Sequence, residues 1–454
     1  MAAQQLSGPL VPSQRIDALD IVRGFALFGV LMLNMLDFAG PVASADPWAV
    51  SVAWWDRAAE LAIRVLGEAA FYTVFSFLFG LGFALQFERA LGRGERFTWR
   101  FVSRLSVLAV FGLAHGFLIW NGDILFQYSM AGAFLLLFAR VTSQAAPRWA
   151  LGFAVFTLSV ASLLFGVAML SEFEPETAAN AASEISFYSQ SGFGTIASDH
   201  LDGWVEHVLV TAAGIPWFLA LFLVGLWAVR SGKLANWRNE RPFLLSVLRV
   251  SIPVAIVAKG GLALFIIFGL DAYAVSAGLV LSVFVGGPAL GATYVCLLLL
   301  ALRRVADGSH VLRHLAPVGR MALTNYLMQS IAAVLFFYGY GLGYYGRFGV
   351  ATTLGFTVLF FAAQMVFSRL WLSRFEFGPM EWVWRMLTYR APIGSAAGSH
   401  TTSPVGPPAP SHAPSAAGSS AAVAGSSAAV AVGPAFIAGP LGSRAASGGV
   451  GKQG

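Results

Sequence analysis

The sequence has few charged residues. Asp, Glu, Lys and Arg make up only 11% of its 454 residues, whereas soluble globular domains carry about 25%. Hydrophobic residues reach 57%, and the mean hydropathy is +0.72. A soluble enzyme of this length needs more charge to cover its surface, so the composition excludes that class and indicates a polytopic membrane protein.

Cysteine and several catalytic motifs are also scarce or absent. Cys296 is the single cysteine, which excludes a disulfide framework and a cysteine-based zinc site. The sequence has no Walker-type phosphate loop, no His-Glu-x-x-His and no Gly-x-Ser-x-Gly. We therefore expect no metal site and no tightly bound cofactor.

The apolar stretches are long enough for ten membrane spans, because a bilayer core about 30 Å thick takes roughly 20 residues per helix. The ten stretches are approximately 20–38, 67–86, 101–120, 123–140, 148–170, 208–229, 250–270, 275–302, 319–338 and 350–372. The predicted fold class is all-α, a polytopic transmembrane helical bundle of about ten spans.

The basic residues predict the orientation of these spans. Arginines cluster in every second loop, with five of them between positions 89 and 104, whereas residues 171–207 contain seven acidic residues and no Lys or Arg. By the positive-inside rule both termini are cytoplasmic. The net charge of +6 is then a topology signal, and no nucleic-acid partner is expected.

Two segments fall outside this pattern. Arg64 follows Glu60 by four residues, a helical pairing distance, so Trp54–Gly67 is predicted as an amphipathic helix on the outer face. Residues 391–454 are rich in Ala, Gly, Ser and Pro and are predicted as a disordered tail. The remaining chain divides into an N-terminal half, 1–229, and a C-terminal half, 230–390.

Ionisable and polar residues within the spans are the candidate functional residues, because each of them needs a cavity or a partner. Asp20 and Arg23 share one helix face at the start of the first span. They form either an anchoring salt pair or a polar mouth that receives a charged substrate. Asn34 lies further along the same span, where an unpaired amide is costly.

The segment from His115 to Asp123 contains the strongest catalytic candidates. His115 lies about one and a half helical turns inside the outer end of the third span, Asn121-Gly122 forms a turn, and Asp123 opens the next helix. Such a hairpin can bring the imidazole and the carboxylate together, as a general base and the group that orients it. The alternative is an interhelical hydrogen bond with Asp123 as an N-cap.

Two further sites are less specific. Lys259 lies inside the seventh span, where a structural pair with a carboxylate elsewhere in the chain is favoured over contact with an anionic ligand. Asn325 and Gln329 are four residues apart, so their amides share a helix face. They either join helices or line a substrate cavity.

Several segments resemble the YeiB family of bacterial membrane proteins, known as domain of unknown function 418. The segments are residues 15–34 (RIDALDIVRGFALFGVLMLN), 75–82 (FSFLFGLG), 115–125 (HGFLIWNGDIL), 320–326 (RMALTNY) and 377–389 (FGPMEWVWRMLTY). They are spread over residues 15–390 and follow the order of the family. The resemblance implies a multi-pass protein of the bacterial cytoplasmic membrane.

The N-terminal pattern also resembles polytopic membrane acyltransferases of the heparan-α-glucosaminide acetyltransferase type. That resemblance implies a cytoplasmic acyl-CoA donor, whose phosphates meet Asp20/Arg23 and Arg100/Arg104, and a small-molecule or envelope sugar or lipid acceptor. Those enzymes usually carry a histidine on or just after the first span. Here Asn34 is on that span, so either His115 is the base or acyl transfer is not retained.

Two other functions stay open at this stage. A small-solute transporter or exporter also fits ten spans with polar residues inside them, although the two halves show no clear internal duplication. A scaffold for an envelope complex is the third hypothesis. The bilayer is a partner in all three, and a homo-oligomer is compatible with the sequence.

Overall fold

Helices account for all of the regular secondary structure in the part of the chain that the structure describes. In the computed structural model these residues are 12–41, 53–94, 96–170, 178–234, 237–270, 272–304 and 310–389. The predicted disordered tail lies outside them. In chain order the helices are α1 (Pro12–Ala39), α2 (Trp54–Gly67), α3 (Ala70–Gly92), α4 (Phe97–Leu118), α5 (Leu125–Leu135), α6 (Ala146–Leu170), α7 (Ala178–Gln190), α8 (Phe193–Asp202), α9 (Trp204–Arg230), α10 (Arg241–Ile267), α11 (Ala272–Leu281), α12 (Gly287–Arg304), α13 (His310–Arg313), α14 (Leu315–Arg320), α15 (Ala322–Phe337), α16 (Val350–Leu372) and α17 (Pro379–Tyr389).

The predicted all-α membrane fold is confirmed. Eight apolar helical stretches among the described residues are long enough to cross a membrane, and Leu125–Phe138 and Ala322–Phe337 are shorter apolar helices. Together they correspond to the ten predicted spans. A π-helical segment, Ser282–Gly286, joins α11 to α12 within one of them.

Two of the helices are shorter than the predicted spans because the backbone breaks near their starts. The predicted span 123–140 begins only at Leu125, because Asp123 belongs to the preceding turn. The predicted span 319–338 is divided at Met321, whose φ of −106° and ψ of 35° end α14 and start α15 in a new direction. At about 1.5 Å per residue, the 16 residues of α15 span about 24 Å.

The helices alternate in direction and give the bundle two distinct ends. At the arginine end α3, α9, α12 and α16 finish, and each has Arg in its last turn. At the opposite end, named here the histidine end, α4 finishes with His115 in its last turn. The amphipathic helix predicted at Trp54–Gly67 is present as α2, whereas α7, α8, α13 and α14 were not predicted.

Close backbone contact fixes α1 against α14. A Cβ atom on Gly24 would lie 2.2 Å from the carbonyl oxygen of Leu315, and one on Gly319 would lie 1.9 Å from that of Asp20. Only glycine allows this approach. As a result Arg23, on α1, and Arg320, at the end of α14, are held at the same end of the bundle.

Candidate functional site

The hairpin between α4 and α5 brings His115 and Asp123 into contact. The backbone N–H of Trp120 donates to the His115 carbonyl and ends α4. His115 Nδ1 then lies 3.0 Å from Asp123 Oδ1, and both side chains are fully buried. The contact predicted from the sequence is therefore confirmed, and its catalytic use stays a prediction.

The Asp123 carboxylate has two partners that together hold it in place. Its Oδ2 accepts a hydrogen bond of 2.7 Å from the backbone N–H of Phe126, and so caps the start of α5. A Cβ atom on Gly112 would lie 2.8 Å from this Oδ2, so glycine is required where α4 passes the turn. The capping role and the orienting role are both present in one carboxylate.

The arrangement sets the tautomer of His115. A carboxylate accepts hydrogen bonds, so Nδ1 carries the proton and Nε2 has a lone pair. Nε2 has no hydrogen-bond partner among the described residues. In its neutral form His115 is therefore a buried imidazole with an oriented ring and a basic Nε2 that has no partner among the described residues, as a general base requires.

Aromatic and imidazole side chains that the sequence analysis did not identify surround this pair. The ring of Tyr326, on α15, lies 5.1 Å from that of His115. His200, on α8, is buried, and burial lowers its pKa, as does the nearby His115, while the Phe117 backbone and Asp199 oppose the shift. The histidine end therefore carries a second imidazole within electrostatic range of the first.

A cavity of about 520 Å³ leads from the arginine end toward this hairpin. Its walls come from α1, α3, α4, α5, α14, α15 and α17. On α1, the residues Arg23, Leu27, Val30 and Asn34 line it, at spacings of four, three and four, which is one helix face. Tyr326 lines its inner end and also contacts His115, so this ring lies between the cavity and the imidazole.

Four arginines line the mouth of the cavity, namely Arg23, Arg104, Arg320 and Arg385. Arg23 donates to Asp20 at 2.5 Å. The Arg104 guanidinium lies 4.4 Å from the centre of a Trp384 ring, and that of Arg385 lies 3.9 Å from the Phe377 ring. These cation–π contacts hold the guanidinium planes at the rim.

Helix α17 covers part of the mouth and is fastened by Glu381. The Glu381 carboxylate accepts hydrogen bonds from the backbone N–H groups of Leu323 and Thr324, at 2.7 and 3.2 Å, and from Thr324 Oγ1 at 2.5 Å. These N–H groups belong to the first turn of α15, where they have no acceptor within the helix, and they attract the carboxylate.

The structure brings only some of the predicted binding residues together. Arg23, Asn34 and Arg104 line the cavity, and Asp20 pairs with Arg23. Arg100 is exposed at the start of α4 and is outside the cavity wall.

Asn121 is exposed on the turn. Asn325 donates to Val318 O and Ser368 Oγ, and Gln329 donates to Gln364 Oε1 at 2.8 Å. These two amides join α15 to α14 and α16, and they are outside the cavity wall. The hydrogen bonds give them the role of interhelical contacts.

Lys259 has a structural partner, as predicted, but the partner is a backbone carbonyl and not a carboxylate. Its ammonium is buried and donates to the carbonyl oxygen of Glu68 at 2.7 Å, where α2 ends before α3. In the described part of the chain, no group of three or more His, Cys, Asp or Glu side chains is suited to a metal ion.

Comparison with known proteins gives a family and several full-length relatives. Residues 228–391 match the family described as "Protein of unknown function (DUF418)". The chain is 31% identical to "Uncharacterized protein YxaH" of Bacillus subtilis (strain 168), over 84% of this chain and 96% of that protein. It is 30% identical to "Uncharacterized protein YeiB" of Escherichia coli (strain K12), over 83% and 97% of the two chains. No solved structure matches the chain.

Proposed function

Because the chain belongs to the YeiB family of proteins of unknown function (DUF418), we propose its function from its own site: transfer of an acyl group from acyl-CoA to a hydroxyl or amine. The observation that supports this proposal is the cavity between four arginines and the Tyr326 ring that contacts His115. A phosphate-bearing donor fits the first end, and a general base stands at the second.

The transfer step uses the basic nitrogen of His115. Nε2 takes the proton of the acceptor O–H or N–H while the acceptor atom attacks the thioester carbonyl. The C–S bond of the donor then breaks, and the thiolate receives the same proton back from the imidazolium. Asp123 accepts the Nδ1–H hydrogen bond throughout, which orients the ring and stabilises its protonated form.

The proposed orientation follows from the basic residues. The arginine end faces the cytoplasm, so both termini are cytoplasmic and the donor enters from that side of the bacterial cytoplasmic membrane. Arg23 and Asn34 are eleven positions apart on α1, about 16 Å along a helix. Because both residues line the cavity, a donor held at the mouth has about this length of cavity beside α1.

The experiment uses purified protein in nanodiscs with acyl-CoA, and it measures thiol release that depends on an added acceptor. We expect His115→Ala to lower the rate at least a hundredfold, since general-base catalysis is worth about 10²–10⁴. His314→Ala is the matched control, because that histidine lies at the start of α14 and outside the cavity wall. Equal rates for the two variants would exclude His115 as the base.

A small-solute transporter is the second candidate, supported by the polar groups at both ends of the cavity. In that case Asn34 and Arg23 line a path across the membrane. Protein in liposomes that moves a solute in the absence of any acyl donor, with unchanged rates in His115→Ala, would favour transport over acyl transfer.

A further inference from the structure

The cavity is elongated along α3. Its lining on that helix runs from Tyr72 to Gln86, and fourteen positions at about 1.5 Å each give roughly 21 Å. A space of that length takes an extended chain lying along the helix.

The volume also sets the size of the occupant. A cavity of about 150 Å³ holds benzene, which is roughly 25 Å³ for each non-hydrogen atom. At that ratio, the cavity of about 520 Å³ has room for roughly 20 non-hydrogen atoms. Its middle is lined by apolar side chains such as Leu27, Val30, Phe75, Leu78 and Leu105, so most of the chain it takes is not charged.

The mouth carries an excess of positive charge. The charged residues of the cavity wall are four arginines and Glu381, and Asp20 offsets Arg23 through their salt bridge. Four guanidinium groups against two carboxylates leave an excess of two positive charges. Arg320, at the end of α14, and Arg385, on α17, approach the rim from two separate elements.

We propose that this cavity binds a linear chain of about 20 non-hydrogen atoms that ends in a dianionic phosphate or diphosphate, with Arg320 and Arg385 binding that head group. A coenzyme A thioester from the cytosol and a single-chain lipid phosphate from the bilayer share this chemistry. The inference deepens the proposed donor site, but binding of the chain does not require the transfer step.

The first experiment measures binding to the full-length protein in detergent. The probes are free coenzyme A, oleoyl-lysophosphatidic acid and inorganic pyrophosphate as a head group without a chain. We expect one of the first two to bind at least tenfold more tightly than pyrophosphate, and the probe that binds identifies the source. Pyrophosphate binding as tightly as both chain-bearing probes, or no binding of any probe, would overturn the proposal.

The head group is tested with Arg320→Gln and Arg385→Gln together. We expect at least a tenfold loss of affinity for the chain-bearing probe and a weaker dependence on salt, because two charge-assisted contacts are removed. Arg100→Gln is the matched control, since Arg100 lies near the same end but outside the cavity wall. Equal losses in the control and in the double variant would contradict a specific head-group site.

The chain is tested with Gly82→Leu. Gly82 lines the cavity, and a Cβ atom there would meet only Gln86 Nε2, at an ordinary 3.9 Å, so the leucine enters the cavity without a backbone clash. Gly152→Leu on α6 is the control, because a Cβ atom there has nothing within 4 Å. We expect at least a tenfold loss of affinity in Gly82→Leu alone, at an unchanged melting temperature, and unchanged affinity would overturn the proposal.

The two proposals can fail separately. His115→Ala is expected to bind the probe with wild-type affinity while it loses transfer. Binding in that variant without any measurable transfer by the wild-type protein would leave the chain site standing and remove the acyltransferase function.

Discussion

Replacing Glu381 with alanine tests how helix α17 is attached to the bundle. The carboxylate accepts hydrogen bonds from two backbone N–H groups at the start of α15 and from the Thr324 hydroxyl. Alanine removes all three at once. The two N–H groups belong to Leu323 and Thr324, both of which are buried, so water does not readily replace the carboxylate.

The expected cost follows from these contacts. A buried backbone N–H left without an acceptor costs about 1–3 kcal/mol, and two such groups are affected. Taking values near the lower end, because Glu381 itself is only partly buried, we expect about 3 kcal/mol, which lowers the melting temperature by roughly 5 °C.

A glutamine at position 381 distinguishes the effect of the carboxylate charge from the effect of its hydrogen bonds. Burial raises the pKa of Glu381, and the hydrogen bonds from Thr324 and Leu323 oppose that shift. A raised pKa in the folded state means that folding favours the protonated carboxyl. The stabilising contribution is therefore complete below the ordinary glutamate value of about 4.3 and is lost as pH rises through the folded-state pKa.

Glu381→Gln keeps an acceptor oxygen and cannot ionise, so it should lack this part of the pH dependence and cost less than alanine. The assay is thermal unfolding in detergent across pH 4–8 for the wild type and both variants. Glu376→Ala is the matched control, because Glu376 is exposed just before α17. A melting temperature for Glu381→Ala within 1 °C of this control would refute the role assigned to the carboxylate.

Three further predictions concern the hairpin, the α1–α14 contact and the α15 amides. Asp123→Asn should keep the cap on α5, since Asn also caps helices. It should lower the rate of acyl transfer by about 10²-fold or more, because the imidazole loses its carboxylate partner. A wild-type rate of acyl transfer would contradict this. Gly319→Ala should lower the free energy of unfolding by more than about 2 kcal/mol through overpacking. Gly355→Ala is the control, because the space around its Cβ position is open. Equal melting temperatures for the two variants would refute the close contact. Gln329→Leu should lower the free energy of unfolding by about 1–3 kcal/mol and leave the KM for the acyl donor unchanged. A raised KM would instead support the predicted role of Gln329 in substrate binding.

Periodicity and charge were sufficient to predict the spans, because lipid imposes length and composition on each helix separately. The helix at Trp54–Gly67 and the contact between His115 and Asp123 were predictable because each involves residues that are close together in the sequence. The helix was indicated by an i, i+4 pair of charges, and the contact by a tight hairpin. All of these features are local in the chain.

The remaining features depend on contacts between distant residues. Glu381 meets Leu323, 58 positions away, and no spacing in the sequence indicates that an acidic residue caps a helix in another segment. Tyr326 was visible only as a neighbour of Asn325, although its position one residue further turns it toward the cavity. His200 is on α8, in the acidic segment 171–207, and the composition of that segment gave no sign that α8 packs against α4 of the hairpin.

The contact between Gly24 and Gly319 has a consequence for how the mouth of the cavity can open. On that side two backbones touch without any intervening side chain. The wall that carries Arg23 therefore cannot shift through a change of side-chain rotamer. On the other side α17 is attached by side chain to backbone hydrogen bonds, from Trp384 Nε1 to Arg104 O and from Leu323 N–H to Glu381. These bonds can break and re-form through rotamer changes. If a ligand enters through the mouth, α17 is therefore the element that moves, while α1 and α14 stay in place.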